Sequence, residues 1–345
     1  MNHYPSNVKE KLNSIILSMA EHHWLFSQNP GHDFTRQHLG KLSFYDTMRL
    51  IISMGKGSTN DEIMDYFDLD PDLIPSQSAF CQRRRQISLS AFEYLFSEFS
   101  SSFPSTTDKF KDHCILACDG CHVVYATNSD IIEDYNKPRL IDYKGYNHMH
   151  LNGFVDVISK AFLDVVIQPG QQPDEREALH SMLDHFTPDD PQKYIITADR
   201  GYESYDLLFH CELKNLGYVF RVKSPSSPKS ILSYYASELP DDLEEFDVTI
   251  KRFFTDKATN IMKSQSDVYR YINPSKNTPH FYELLRKKHS HLYFLQFRVV
   301  KIKTSENTYE YLITNLPFSF TLDDIRECYH WRWGIEISFR YLKHA

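Results

Sequence analysis

Apolar positions along this chain change their period near residue 110. Before it they recur at helical spacing. A periodic stretch over 46–54 ends near Gly55 and Gly57, and Thr59 with Glu62 three residues later makes a capping-box pattern that opens a short helix through Phe67. Pro71 and Pro75 mark a linker, after which Ser76 can cap a helix through Phe80 to Ile87. From Cys114 the pattern is that of strands, over 114–119, 148–158 and 161–168, with Ser159-Lys160 as a hairpin signal between the last two. A helix over 175–186, a strand over 194–198, a helix over 205–216 and a strand over 218–222 follow. Between 224 and 308, Pro-, Ser- and Lys-rich stretches mix with aromatic strands such as 292–301. Residues 309–316 then read as a returning strand and 323–345 as a closing helix.

Composition sets outer bounds on this α/β pattern. With 345 residues, 41% hydrophobic content, 24 Phe and 22 Tyr, the chain can bury at least one large core and holds two or three domains. No apolar run reaches the roughly 18–20 residues of a membrane span, and the start lacks a signal-peptide pattern, so a cytoplasmic protein is expected. Six scattered Cys, at 81, 114, 118, 121, 211 and 328, read as reduced thiols. A net charge of −8 weighs against a nucleic-acid partner unless the charges are segregated. Segregation is visible: acidic runs at 65–72 and 241–247 stand apart from the basic clusters Arg83-Arg84-Arg85 and Arg286-Lys287-Lys288. The polar-basic helix with Gln77, Gln82, Arg83, Arg84 and Arg85 follows a helix and a turn, as in a major-groove reader; an ordinary helical subdomain with a basic face fits equally well.

Candidate chemistry lies farther along. Asp119 closes one apolar run and precedes Gly120, and Asp199 closes another and precedes Arg200-Gly201-Tyr202. Each reads as a carboxylate at the C-terminal end of a short buried strand, where ligand sites form in open α/β sheets, although either one alone is more ordinarily a turn former or cap. In the last helix Tyr329, Arg332, Glu336 and Lys343 are spaced by three, four and seven, and Arg340 follows Glu336 by four, which places them on one helical stripe. A carboxylate among cations suits a metal ligand whose neighbours grip phosphates; taken alone, such a stripe is more often a solvated face of ion pairs. Two Asp and one Glu that a fold can gather suit a pair of Mg²⁺ ions.

In these residues the chain resembles the DDE transposases of bacterial insertion sequences, specifically the insertion-sequence-four group with its YREK signature. The runs Lys144-Gly-Tyr-Asn-His-Met-His-Leu-Asn-Gly153 and Asp174-Glu-Arg-Glu-Ala178 have the look of that group too, and the resemblance extends from about Thr59 to the last residue. It implies a ribonuclease H-like mixed sheet, in keeping with the strand and helix order, interrupted by a β-rich insertion and preceded by a helical domain. The expected division is 1–110 helical and DNA-binding, 111–223 catalytic core, 224–308 β-rich insertion domain, and 309–345 the last core strand and the signature helix. By resemblance, Asp119, Asp199 and Glu336 hold two Mg²⁺ ions, with Mn²⁺ as a substitute. Tyr329, Arg332 and Lys343, joined by Arg200 and Arg340, contact DNA phosphates. The implied partners are double-stranded transposon ends and target DNA, bound by a homodimer at the bacterial nucleoid with no membrane association. The implied reaction is metal-dependent donor cleavage and strand transfer.

Three departures qualify this expectation. Cys121 stands where the family usually has Ser or Thr, and the three Trp, at 24, 331 and 333, all lie outside the insertion. The chain also stops two residues after Lys343, so it reads as truncated and poor in transposition. The alternatives are a truncated transposase that only binds DNA, and a ribonuclease H-like nuclease without strand transfer. Other signals are set aside. The group His113, Cys114, Cys118, Cys121 and His122 reads as a buried strand rather than a zinc site, Gly55-Lys-Gly-Ser-Thr59 lacks P-loop spacing, and the 17 His, without a His-Glu-x2-His pattern, read as surface or polar-core residues.

Overall fold

The helices that follow Ser43, Ser58 and Ser76 begin where the serine side chain catches a free amide. The computed structural model describes residues 4–35, 41–102, 109–137, 144–257, 259–273 and 278–344. Contacts group the chain into two units, Met1–Pro104 and Ser105–His344. In the first, α1 (Tyr4–Glu21) is followed by α2 (Phe44–Ser53), opened by a Ser43/Asp46 capping box, and α3 (Thr59–Tyr66), opened by Ser58 and Asp61. The cap expected at Thr59 and Glu62 is thus one residue late. Thr59 is already helical, and Glu62 instead accepts the Gly57 N–H at 2.8 Å. Helix α4 (Gln77–Gln86) starts at Ser76, whose hydroxyl accepts the Ala79 N–H at 3.2 Å, and α5 (Leu89–Ser101) closes the unit. Ile16, Met19, Phe44, Met48 and Ala91 form one core of this unit, and Leu50, Ile63 and Phe80 form a second.

The second unit is organised on one ten-stranded mixed sheet. Its strands are β1 (Cys114–Tyr125), β2 (Tyr135–Asn136), β3 (Tyr146–Asp156), β4 (Ala161–Pro169), β5 (Tyr194–Ala198), β6 (Gly217–Val222), β7 (Phe246–Thr255), β8 (Tyr269–Tyr271), β9 (Leu292–Ser305) and β10 (Thr308–Thr314). They lie in the order β2-β3-β1-β5-β6-β10-β9-β7-β8, with β4 also paired to β3. Strands β1, β5 and β6 are mutually parallel, while β3, β4 and β10 join antiparallel. Segment 224–308, expected as a β-rich insertion domain, supplies β7, β8 and β9 to this same sheet, together with α8 (Asn260–Ser264) and α9 (Pro279–Lys287). The pairing of β9 with β10 over seven residues is what makes the sheet continuous; residues 258 and 274–277 of the segment lie outside the described ones.

Alternation along β1 distributes its side chains between two cores. Leu116 and Cys118 face a layer built with Leu179 and Met182 of α6 (Glu175–His185), Phe209 of α7 (Tyr205–Leu213) and Phe281 of α9. Ile115 and Ala117 face Ile325 and Cys328 of α10 (Leu322–Trp331) and Ile335 and Phe339 of α11 (Trp333–His344). Helices cover both faces, which is why the parallel strands read as continuous apolar runs.

Candidate active site

Strand register places the first two carboxylates. Parallel pairing of β1 with β5 ends at Cys118 opposite Ala198, so Asp119 and Asp199 are the next residues on neighbouring strands. Asp199 ends its strand as expected and caps a 3-10 turn at Arg200–Tyr202, accepting the Gly201 N–H at 2.7 Å. Asp119 does not end β1. Antiparallel pairing with β3, in which Asp119 faces Gly153 and Gly120 faces Asn152, carries the strand on to Tyr125, so Asp119 sits mid-strand where β1 parts from β5. Its Oδ1 accepts the Gly120 N–H at 2.9 Å. Below the pair, fully buried Tyr202 receives the Cys118 thiol at 3.5 Å and ties the strand to the turn.

A further carboxylate enters from α6. A Cβ on Gly120 would lie 2.8 Å from Glu175 Oε1 and 2.2 Å from His150 Nε2, and a Cβ on Gly201 would lie 3.3 Å from Glu175 Oε2. Glu175 therefore occupies the space between the backbones that follow the two Asp, and only glycine at 120 leaves room for it. His150 Nε2 is 3.2 Å from Glu175 Oε1, and Arg176 Nε donates to the Gly201 carbonyl at 3.1 Å. Glu175 was not among the site residues expected from sequence. Its one signal was the run Asp174-Glu-Arg-Glu-Ala178 at a helix start.

Glu336 reaches the site through Arg332. The expected single stripe is bent, because α10 ends at Trp331 and α11 starts at Trp333. Arg332 N–H bonds Tyr329 O at 3.1 Å and Arg332 O accepts Ile335 N–H at 3.0 Å, tight i to i+3 links that bend the chain. Next to them Gly334 lies against Val157, whose Cβ is 3.2 Å from where a Gly334 Cβ would stand. Arg332 is 4% exposed, with Nη1 3.4 Å from Asp119 Oδ2 and Nη2 3.0 Å from Glu336 Oε1. One guanidinium thus spans two of the three expected metal ligands.

Other expected residues are placed differently. Tyr329, expected on phosphate, is 2% exposed and lies beside Arg332; burial pushes its pKa up. Along the same two helices Trp331 and Leu342 are exposed, whereas Cys328, Ile335 and Phe339 are buried. The bend at Arg332 shifts the phase of the apolar face between its two sides. Arg340 and Lys343 are exposed on α11, and Lys343 bears electrostatically on Cys121 and His122 of β1. Arg200 is exposed and lines a cleft of about 350 Å³ with Arg221, Lys223 and Tyr309. In the helical unit Gln77, Gln82, Arg84 and Arg85 are exposed on α4. Arg83 turns inward, donating to Gln86 at 3.0 Å beside the Phe34 ring.

Electrostatics make this a strained gathering of acids. Burial, followed by the charges of Asp199 and Glu175, pushes the Asp119 carboxyl up to about 6 against the pull of the Gly120 N–H and Arg332. Its folded value exceeds the unfolded 3.8, so the native state holds the proton longer and stability falls as pH rises from 3.8 through about 6. Asp119→Asn is therefore expected to melt higher than the parent near neutral pH, by on the order of 1–3 kcal/mol. The gain should shrink on acidification and vanish below the unfolded value. Thermal unfolding at several pH values checks this, and a lower melting point for the variant at neutral pH would refute it.

Asp119 and Asp199 on adjoining strands, with Glu175 between the backbones that follow them and the Arg332 bend against Asp119, define a carboxylate-centred site of a mixed α/β protein. Residues 110–345 match the family described as Transposase DDE domain, and the chain belongs to that family. Among solved structures, a piggyBac transposase synaptic complex with hairpin DNA, determined by cryo-EM, is similar at 10% identity and a TM-score of 0.42. The match covers 86% of this chain and 56% of that one, so this chain spans just over half the length of that neighbour. No curated protein matches.

Proposed function

We propose that this chain is a DNA transposase of the insertion-sequence-four group, with a ribonuclease H-like core, that cleaves and joins DNA at the ends of an insertion sequence. The observation that carries the reading is the register of β1 and β5, which sets Asp119 beside Asp199, with Arg332 at the α10–α11 bend linking Asp119 to Glu336. DDE transposases generally use divalent metal ions, and the donor set fits such ions, being all carboxylate oxygen with mutual repulsion that a cation relieves. Asp119, Asp199 and Glu336, with Glu175 beside them, would hold two Mg²⁺, or Mn²⁺ in their place. When bound, these ions stabilise the oxyanions of an in-line phosphoryl displacement by water or a DNA 3′-hydroxyl.

The remaining work falls to the chain's own side chains. Arg332 sets the separation of Asp119 and Glu336. Arg200, Arg221 and Lys223 present donors for phosphate oxygens in the cleft after Asp199, with Lys343 and Arg340 adding charge from α11. The exposed Gln77, Gln82, Arg84 and Arg85 of α4 form the duplex-binding face. Two copies pair two DNA ends, and the protein works at the bacterial nucleoid.

A labelled duplex carrying the element's terminal repeat, incubated with Mg²⁺, tests both reaction and binding. The parent chain is expected to cleave and join it, and Asp199→Asn to lose about 10³-fold or more of both. Binding without cleavage would leave a DNA-binding protein, and cleavage without joining a nuclease. Arg84→Ala with Arg85→Ala should flatten the salt dependence of binding by about one unit for each phosphate that is no longer neutralised. An unchanged slope would remove α4 from the interface.

A further inference from the structure

Helices α6, α7 and α9 pack on the sheet face opposite α10 and α11, and each brings one imidazole to a common point. His180, His210 and His280 offer ring nitrogens that all lie within 4.8 Å of one another, and His180 Nδ1 is 2.9 Å from His210 Nδ1. Nitrogens around a tetrahedral ion with bonds of about 2.0–2.1 Å stand roughly 3.3 Å apart, a spacing these nitrogens approach, and the stacked rings close a shell by turning about their side-chain bonds so that the in-plane lone pairs converge. Two carboxylates stand behind the rings. Asp206 Oδ2 is 2.7 Å from His280 Nδ1, and Asp184 Oδ1 is 3.1 Å from His210 Nε2, which leaves the other nitrogen of each ring to carry a lone pair. Carboxylate-backed imidazoles are the usual way a protein fixes the tautomer and direction of a metal-binding His.

The surroundings favour a ligand over mere packing. The rings stack at 3.8 and 4.5 Å between centroids, where phenyl rings would pack without burying ring nitrogens. A cleft of about 770 Å³ lined by Asp174, Arg176, His180, Asp184, Asp206 and His280 reaches the cluster from solvent, giving an ion a path in and a water a fourth position. Asp206 also accepts the His280 and Phe281 N–H groups at 3.1 and 3.2 Å, so the second layer already ties α7 to the start of α9.

We propose that His180, His210 and His280 form a structural site for one imidazole-preferring transition-metal ion of the zinc type, separate from the carboxylate site. Imidazole donors select zinc, cobalt or nickel where carboxylates select magnesium, so the two sites load independently. Occupancy would brace the segment between β6 and β10 against the catalytic elements, because α6 begins at Glu175 and α7 follows the Asp199 turn. The proposal does not depend on the reaction performed at the carboxylates.

The test uses the full chain, stripped with chelator and titrated with Zn²⁺ or Co²⁺ in excess Mg²⁺. One ion per chain is expected, with tetrahedral Co²⁺ absorption bands and a higher melting temperature on loading. His180→Gln and His280→Gln should weaken binding by at least about 100-fold, and Asp184→Asn by about 10-fold. Asp184 is 63% exposed, so its variant folds and stays informative if a His variant does not. Absence of binding by the parent, equal binding by all three variants, or loss of the ion in Asp119→Asn instead would each overturn the proposal.

Discussion

Arg332→Ala should destabilise the chain by about 3–5 kcal/mol, the range for breaking a buried ion pair by removing one partner. The guanidinium is nearly sealed, faces Asp119 and Glu336 at 3.4 and 3.0 Å, and packs beside the Tyr329 and Trp333 rings with centroids at 5.5 and 5.3 Å. Truncation leaves Asp119, already pushed up to about 6, without the cation that pulls it back, and opens a void under the bend between α10 and α11. Arg332→Lys keeps the charge but cannot fork to two carboxylates, so an intermediate loss is expected. Urea unfolding measures both variants. Combining Arg332→Ala with Asp119→Asn should recover part of the loss, because the stranded charge is gone. If the single variant unfolds within about 1 kcal/mol of the parent, Arg332 is solvated and its bridging role fails.

What the residue pattern reveals, and what it hides, follows from the range of the forces involved. The runs before Asp119 and Asp199 read as strands because helices cover both faces of β1 and β5 and keep those residues apolar. The rest of β1 is hidden. Beyond Asp119 it carries Gly120, His122 and other half-exposed residues, and only long-range pairing with β3 makes it a strand. The bend at Arg332 is hidden for a similar reason, since the local spacing is helical on both sides and the kink answers a guanidinium held by carboxylates and a glycine pressed on Val157. Continuity of 224–308 with the core sheet depends on the β9–β10 and β7–β9 registers, which no local period encodes. The three clustered histidines stand 30 and 70 residues apart on separate helices, so no motif announces them.

Glu175→Gln is expected to reduce DNA-end cleavage by about 10²–10³-fold, a loss comparable to removing a key electrostatic group from an active site. Its carboxylate lies between the backbones after Asp119 and Asp199, and its charge contributes to the raised Asp119 value, whereas Glu336 lies on the far side of a guanidinium. Glutamine has the same shape and can still face His150, so the fold should persist and the melting temperature should hold or rise as repulsion is relieved. Removing a negative charge from the cluster should weaken Mn²⁺ binding by about tenfold or more, read by calorimetry on the same preparation. A positioning role is separable from direct metal contact. If Glu175 only holds the Gly201 turn through its neighbours, Arg176→Ala, which removes the 3.1 Å bond to the Gly201 carbonyl, should slow cleavage as much with Mn²⁺ affinity unchanged. Cleavage by Glu175→Gln at the parent rate, alongside a dead Glu336→Gln, would assign the third carboxylate to Glu336 alone and leave Glu175 as a packing residue of the α6 terminus.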